Sequence, residues 1–204
     1  MGPKEKKERS LGERLQLKAT RCQSPKCAAV RKPYRPGAHG RTGRVRALSD
    51  FGRQIKEKQK FKYTYGINER NLKHLFESAS KKTGSTGSRL IELLELRLDN
   101  VIFRMGLAPS RAMARQAVLH GHIMVNKKKV RAPGYVTRTG DEVTIRPESA
   151  GKAAFKDLKE SLKKYEAPAW IHVDPEKLVG KVIGNPETSV VPFEVNLVVE
   201  SFSK

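Results

Sequence analysis

The chain has 204 residues, with 42 Lys and Arg against 21 Asp and Glu and a formal net charge of +21 at pH 7. So large an excess opposes compaction by self-repulsion and points to a polyanionic partner whose counterions are released on binding. No apolar run is long enough for a bilayer, no hydrophobic stretch follows the basic N-terminus, and two cysteines make no disulfide framework, so the expectation is a non-secreted protein of one or two domains in reducing cytosol.

Met1-Gly2 lacks the Ser or Thr at the sixth position that a myristoylation signal needs. The charge is uneven: residues 1–67 carry 19 Lys and Arg and 5 Asp and Glu, net +14, whereas residues 68–204 carry 23 and 16, net +7. Residues 1–13 read as a polar, mixed-charge leader, mobile or ordered only by a partner. Between Arg14 and Ser49 no acidic residue occurs. That stretch is rich in Arg, Lys, Gly and Pro and poor in large apolar groups, so it cannot bury enough surface to fold alone. The run from Arg31 to Arg46 has neither helix nor strand periodicity. It reads as an arm threaded against RNA: glycines admit phosphates close to the backbone, prolines limit the entropy lost on ordering, and arginines fork onto phosphates. Tyr34 and His39 can stack on an unpaired base. The plainer alternative is a disordered basic tail that touches nucleic acid without geometry.

Residues 50–66 read as a helix, with Ile55 and Gln59 one turn apart. Asn68 caps the next, with Leu72, Leu75, Phe76 and Ala79 at helical spacing and Lys81, Lys82 and Gly84 at its end. After the loop Thr83–Gly87, Leu90, Leu93, Leu94 and Leu98 are core positions, expected to lie between the helical body and the segment that follows.

Leu98 to Arg146 is the stretch around which the rest is organised. Asp99 can cap a short helix bearing Val101, Ile102 and Met105 and ended by Gly106; Ser110 can cap a second bearing Ala114, Ala117 and Val118 and closed by Gly121. Ile123–Val125 and Lys129–Val130 read as two strands about a tight basic turn. A type I′ turn wants positive φ at Lys127, so a looser or differently shaped turn is expected. A turn at Thr139–Asp141 leads into the alternating strand Val143–Ile145. Arg104, Arg111, Arg115, His120 and His122 surround the helix pair, and Lys127, Lys128, Lys129 and Arg131 extend the run. The helix start at Ser110 also offers free N–H groups to a phosphate. A solvated basic face is the bland alternative. Beyond Pro147, Phe155, Leu158, Leu162 and Tyr165 recur on a helical face, Ala167–Asp174 reads as a turn into a strand, and Trp170 is read as packing rather than as a stacking platform. Phe193–Lys204 reads as an alternating strand.

Chemistry-bearing constellations are few. The histidines at 74, 120, 122 and 172 form no nucleophile-activating set, and Gly84–Gly87 fits neither a Walker loop nor a dinucleotide fingerprint. Arg97-Leu98-Asp99 is similar to the segment carrying the catalytic aspartate of pseudouridine synthases, but the threonine expected after it is missing and no stretch remains for a catalytic domain. Capping is the cheaper explanation of Asp99. Cys22 and Cys27 have ligand-like spacing, yet structural zinc needs four ligands.

The residues Asp99-Asn100, Ser110-Arg111, Ala114-Arg115-Gln116, His120-Gly121-His122 and Val125-Asn126 fall as in the RNA-binding module named after ribosomal protein S-four. Arg21–Ala28 (R-C-x-S-x-K-C-A) and Tyr34–Gly40 (Y-x-P-G-x-H-G) resemble the arm of bacterial-type S-four proteins, and Glu57–Lys60 with Tyr65-Gly66 follow their helical body. The chain is thereby identified as a member of the bacterial-type small-subunit ribosomal protein S-four family. The resemblance implies an α+β fold: a mostly helical N-terminal body with an inserted small α+β RNA-binding lobe of two helices and a short twisted sheet. Its expected segments are a basic arm at 1–49, a helical body at 50–97 joined by 191–204, and the lobe with its extension at 98–190.

It implies no enzyme and no cofactor, but a structural constituent of the small ribosomal subunit in the cytoplasm. Such a protein is a primary rRNA binder that nucleates assembly of the subunit body and contributes to translational accuracy. The implied partners are small-subunit rRNA, neighbouring ribosomal proteins and mRNA where it enters the particle, with no membrane. On that reading the rRNA contacts are Arg21, Lys26, Arg31, Lys32, Tyr34, Arg35, His39, Arg41, Arg44, Arg46, Lys58 and Lys60, together with Arg104, Arg111, Arg115, His120, His122, Lys127, Lys128 and Arg131 in the lobe. Many family members complete a zinc site with an earlier cysteine pair; here no Cys or His precedes Cys22, so Cys22 and Cys27 are half a site and a metal-free form is expected. The competing readings are an RNA-modifying enzyme and a stress or quality-control factor that binds free subunits reversibly.

Overall fold

The structure is a computed structural model that describes residues 3–43, 47–81, 83–152, 155–186 and 193–203. Two compact units divide the chain, Met1–Gly87 with Val191–Lys204, and Ser88–Val190.

The first unit opens with α1 (Lys4–Leu11), α2 (Ala19–Gln23) and α3 (Ala28–Arg31), followed by α4 (Asp50–Tyr65) and α5 (Glu69–Ser80). The leader is not the unstructured segment its composition suggests: α1 has Glu5 in its first turn and Arg9 in its last, which complements the helix dipole, and Gly12 ends it at φ 72. A buried acceptor overrides composition here. The Glu8 carboxylate takes the N–H of Leu15 at 3.0 Å and of Leu17 at 3.1 Å, tying the following loop to α1. Ser49 Oγ accepts from Gly52 N to start α4, and Gly66 in the left-handed region (φ 64) stops it. Asn68 Oδ1 accepts from Asn71 N at 2.8 Å to start α5, whose Leu72 and Ala79 are buried.

Helix α6 (Thr86–Glu95) runs across the boundary into the second unit, where α7 (Leu98–Arg104) and α8 (Arg111–Leu119) precede β1 (Ile123–Val125), β2 (Lys128–Lys129) and β3 (Glu142–Ile145). Then come α9 (Pro147–Ala150), α10 (Leu158–Lys163), β4 (Ile171–Asp174) and β5 (Val179–Val182). The strands form one antiparallel sheet in the order β2-β1-β3-β5-β4. Period-two alternation buries Ile123, Val125, Val143 and Ile145 on one face, in one core with Val101 and Ile102 of α7, Met105 just after it, and Ala114 and Val118 of α8. Phe155, Leu158, Leu162 and Trp170 complete the same core, which confirms Trp170 as a packing residue. Gly180, paired with Val143 in the ladder, leaves room for Met105: a Cβ there would lie 2.8 Å from Met105 Cε.

Three expectations in this unit are corrected. Helix α7 has Arg97, not Asp99, at its N-cap, because the Asp99 carboxylate is turned onto arginines instead of the helix start. The hairpin turn has both residues at positive φ, Asn126 at 48° and Lys127 at 63°, despite the lysine. Asn126 fixes it from the side, donating to Asp141 Oδ1 at 2.8 Å and accepting from Glu142 N at 2.9 Å, so β2 starts one residue early, at Lys128.

The chain end returns to the first unit as α11 (Val195–Ser203), a helix and not the alternating strand read from the sequence. Val195, Val198, Val199 and Phe202 also fit a helical stripe, and tertiary packing selects it. Val198 is fully buried, Phe202 stacks on Phe76 with ring centroids 5.0 Å apart, and Gln54 of α4 donates to Glu200 at 2.9 Å.

Candidate nucleic-acid interface

Two buried carboxylates organise the cations of the lobe. Glu95 closes α6, and Arg104 at the end of α7 forks onto it, Nε to Oε2 at 2.8 Å and Nη2 to Oε1 at 3.0 Å. Asn100 Nδ2 donates to the same Oε2 at 2.8 Å, while Asn100 Oδ1 accepts from Arg111 Nε at 2.7 Å. Arg111 thus meets Asn100 through Nε and lies over Phe103, its guanidinium carbon 4.5 Å from the ring centroid. Asp99, in the first turn of α7, receives Nε and Nη2 of Arg97 at 3.2 and 2.8 Å and Nη1 of Arg115 at 3.3 Å. Arg97 is buried beneath Gly134 and neutralises Asp99, which leaves Arg115 as a surplus cation at the surface.

A second cluster forms where α8 meets the sheet. His122 Nδ1 shares a hydrogen with Ser149 Oγ at 3.0 Å, its ring meets Phe155 edge-on, and His120 stands 5.9 Å away. Burial lowers the His122 pKa from its ordinary value, and Lys152, His120, Lys129 and Arg146 lower it further. The Lys129 pKa is itself lowered, by Arg131 first, then by desolvation and by Arg146. Its side chain and that of Arg131 converge over Gly121, where a Cβ would lie 3.2 Å from Arg131 Nε. Sequence reasoning missed Arg146 and Lys152. Only the sheet register reveals Arg146, whose N–H donates to His122 O at 2.8 Å. Lys127 and Lys128 stand exposed on the hairpin beside this cluster.

In the arm, Arg21, Lys26, Arg31, Lys32, Arg35, His39 and Arg41 are exposed. Arg21 donates to Glu5 at 2.7 Å. Tyr34 has one face covered by Arg9, whose guanidinium lies 5.0 Å from the ring centroid. A side chain on Gly40 would collide with the carbonyl of Arg35, so the loop around His39 requires a glycine there. Arg44 and Arg46, and Lys82 of the α5 ending, lie outside the described residues. The structure draws Lys58 and Lys60 inward: Lys58 pairs with Glu69 at 3.1 Å, and the buried Lys60 pairs with Glu13 at 2.7 Å and with Glu57. Burial opposes the charge on Lys60, but the two glutamates outweigh it and raise its pKa.

Cys22 and Cys27 are both buried as free thiols. Cys22 Sγ accepts from Lys18 N at 3.2 Å and lies 3.9 Å from Glu8 Oε2. Burial raises the Cys22 pKa, which disfavours the thiolate a metal needs. Glu8, the nearest further carboxylate, already holds two backbone amides, so these residues do not fit a zinc ion. Among the described residues no group of three or more His, Cys, Asp or Glu could hold a metal ion, and no helix is long and apolar enough to cross a membrane.

Comparison with known proteins shows the family of the chain. The family described as "Ribosomal protein S4/S9 N-terminal domain" matches residues 1–95, and the one described as "S4 domain" matches residues 96–143. Small ribosomal subunit protein uS4 of Natranaerobius thermophilus is 45% identical over 96% of this chain and 94% of its own length. The uS4A protein of Alkaliphilus metalliredigens is 46% identical and uS4 of Thermus thermophilus 44%, each over the same shares of both chains.

Proposed function

The chain belongs to the ribosomal protein S4 family, and we infer from that membership that it is a non-catalytic structural constituent of the small ribosomal subunit, bound to rRNA in the ribosome of the cytoplasm. The observation that carries the reading is likeness to small-subunit proteins along almost the whole of both chains. Its partners are small-subunit rRNA and neighbouring ribosomal proteins, and mRNA where it enters the particle. Early binding that nucleates the subunit body, and an influence on translational accuracy, belong to the same proposal. So does the division of labour between an arm at 1–49, a helical body at 50–97 with 191–204, and a lobe at 98–190.

Two groups of cations are proposed to meet the RNA backbone. In the lobe they are Arg104, Arg111, Arg115, His120, His122, Lys127, Lys128 and Arg131. In the arm they are Arg21, Lys26, Arg31, Lys32, Arg35, Arg41, Arg44 and Arg46, with Tyr34 and His39 placed to stack on bases. Lys60 ties α4 to the arm through Glu13 and Lys58 ties it to α5 through Glu69, a structural share more than a contact. Phosphate and shape recognition dominate such an interface, and sequence is read at splayed bases.

The test is a salt titration of the full chain on small-subunit rRNA. Affinity falls linearly on a log–log plot, with a slope reflecting several phosphates. A shallow slope, or equal affinity for unrelated duplex RNA, contradicts the reading.

A further inference from the structure

We propose that Glu95 and Asp99 are positioning residues for RNA binding: each buried carboxylate holds arginines of the α7–α8 pair in the geometry in which they grip backbone phosphates. The inference rests on the rRNA-binding reading above.

An acid in a surface that binds a polyanion is at first sight a liability. Coulomb attraction alone says that removing either charge should tighten RNA binding. The placement argues otherwise. The side chains of Glu95 and Asp99 are only 3% and 4% exposed, whereas those of the arginines they meet reach outward, 25% at Arg104, 20% at Arg111 and 39% at Arg115. Each carboxylate is thus beneath its cations, farther from a docked phosphate than the guanidiniums are. Each also has more than one arginine: Arg104 and Arg111 on Glu95, Arg97 and Arg115 on Asp99. The local balance stays positive while the side chains are held.

The hold is directional. Arg104 is clamped by two parallel bonds to Glu95. Arg111 is fixed by three features at once: the Asn100 amide that Glu95 orients, the Glu95 carboxylate at 4.0 Å, and the face of Phe103. Among the described residues Arg115 meets Asp99 through Nη1 at 3.3 Å, and its side chain is 39% exposed. An arginine free in water loses rotamer entropy when it meets a phosphate; one already held loses less. The carboxylates accordingly raise affinity by preorganisation, although their charge has the opposite sign to what binding requires.

The experiment is a double-mutant cycle on the full chain, read by binding to small-subunit rRNA across a salt series. In the wild-type background Asp99→Asn, which removes one negative charge, is expected to weaken binding about 3- to 10-fold, from the ordering of a released arginine. In the Arg115→Ala background the same change is expected to weaken it less than 2-fold, because the residue through which it acts is gone. A merely structural Asp99 would cost the same in both backgrounds. If Asp99→Asn unfolds the lobe by stranding Arg97, the cycle of Glu95→Gln with Arg104→Ala decides the question, since glutamine keeps an acceptor for Asn100. Tighter binding of the neutralised variants, or equal losses in the two backgrounds, overturns the proposal. Failure of the wild-type chain to show salt-dependent affinity for the RNA would instead remove the reading on which it rests.

Discussion

Replacing Glu8 by alanine is the sharpest test of how the arm is built. Its carboxylate is 1% exposed and accepts from Leu15 N at 3.0 Å and Leu17 N at 3.1 Å, with the Cys22 thiol at 3.9 Å. Each backbone donor left unsatisfied costs about 1–3 kcal/mol, less where water reaches it. With both amides only partly buried, we expect a loss of about 2–4 kcal/mol in the free energy that closes the loop. That corresponds to amide exchange at Leu15 and Leu17 faster by roughly thirty- to a thousandfold. Glu8→Gln retains a carbonyl acceptor and is expected to cost about 1 kcal/mol, the difference between a charge-assisted and a neutral bond. Exchange by NMR at these two amides, beside a urea titration of the whole chain, separates local opening from global unfolding. If Glu8→Ala leaves both exchange rates within threefold of the wild type, the carboxylate is not what orders the leader. RNA affinity should fall with Glu8→Ala as well, because α2 and α3, which carry Arg21 and Arg31, lose their support.

Lys60→Ala strands Glu57, which is buried beside it, and urea denaturation should show the first unit destabilised by about 3 kcal/mol. Lys127→Gly relieves a non-glycine residue at φ 63 and should stabilise the lobe by about 1 kcal/mol in thermal melts while weakening RNA binding by the loss of one charge. His122 has a lowered pKa, so below its ordinary value of 6.5 the unfolded chain takes up a proton more readily than the folded one. Stability therefore falls as pH falls through that range, and His122→Gln should flatten the profile. A phosphate bound at the cluster reverses the sign: RNA affinity should rise as pH drops from 7.5 towards 6, and proton uptake on binding can be measured by calorimetry in buffers of different ionisation enthalpy. Gly180→Ala intrudes on Met105 and should lower stability by about 1–3 kcal/mol, measured by urea denaturation.

Local signals were legible where one residue decides the outcome. Asn68 and Ser110, both readable as caps from the helical spacing that follows them, each have a side-chain oxygen on a helix-start amide, whereas the like role of Ser49 was not read. The alternation of Val143 and Ile145 placed β3 and its buried face. What could not be read were choices made by distant partners. The terminal stripe of Val195, Val198 and Phe202 fits two periods, and packing near Gln54 and Phe76 chooses the helix. Asp99 has the chemistry of a cap, but Arg97 and Arg115 compete for its oxygens. Positive charge alone did not reveal that Lys60 points inward while Lys129 and Arg131 converge above Gly121. Composition likewise hid α1, because one buried Glu8 outweighs the polarity of its neighbours.

Sedimentation of the full chain with small ribosomal subunits through a high-salt sucrose gradient tests the central claim most directly. A permanent constituent stays with the particle at salt concentrations that strip loosely bound factors, and reconstituted subunits lacking it should be incomplete in the body. Release of the chain into the soluble fractions at moderate salt, with complete subunits left behind, would contradict the account.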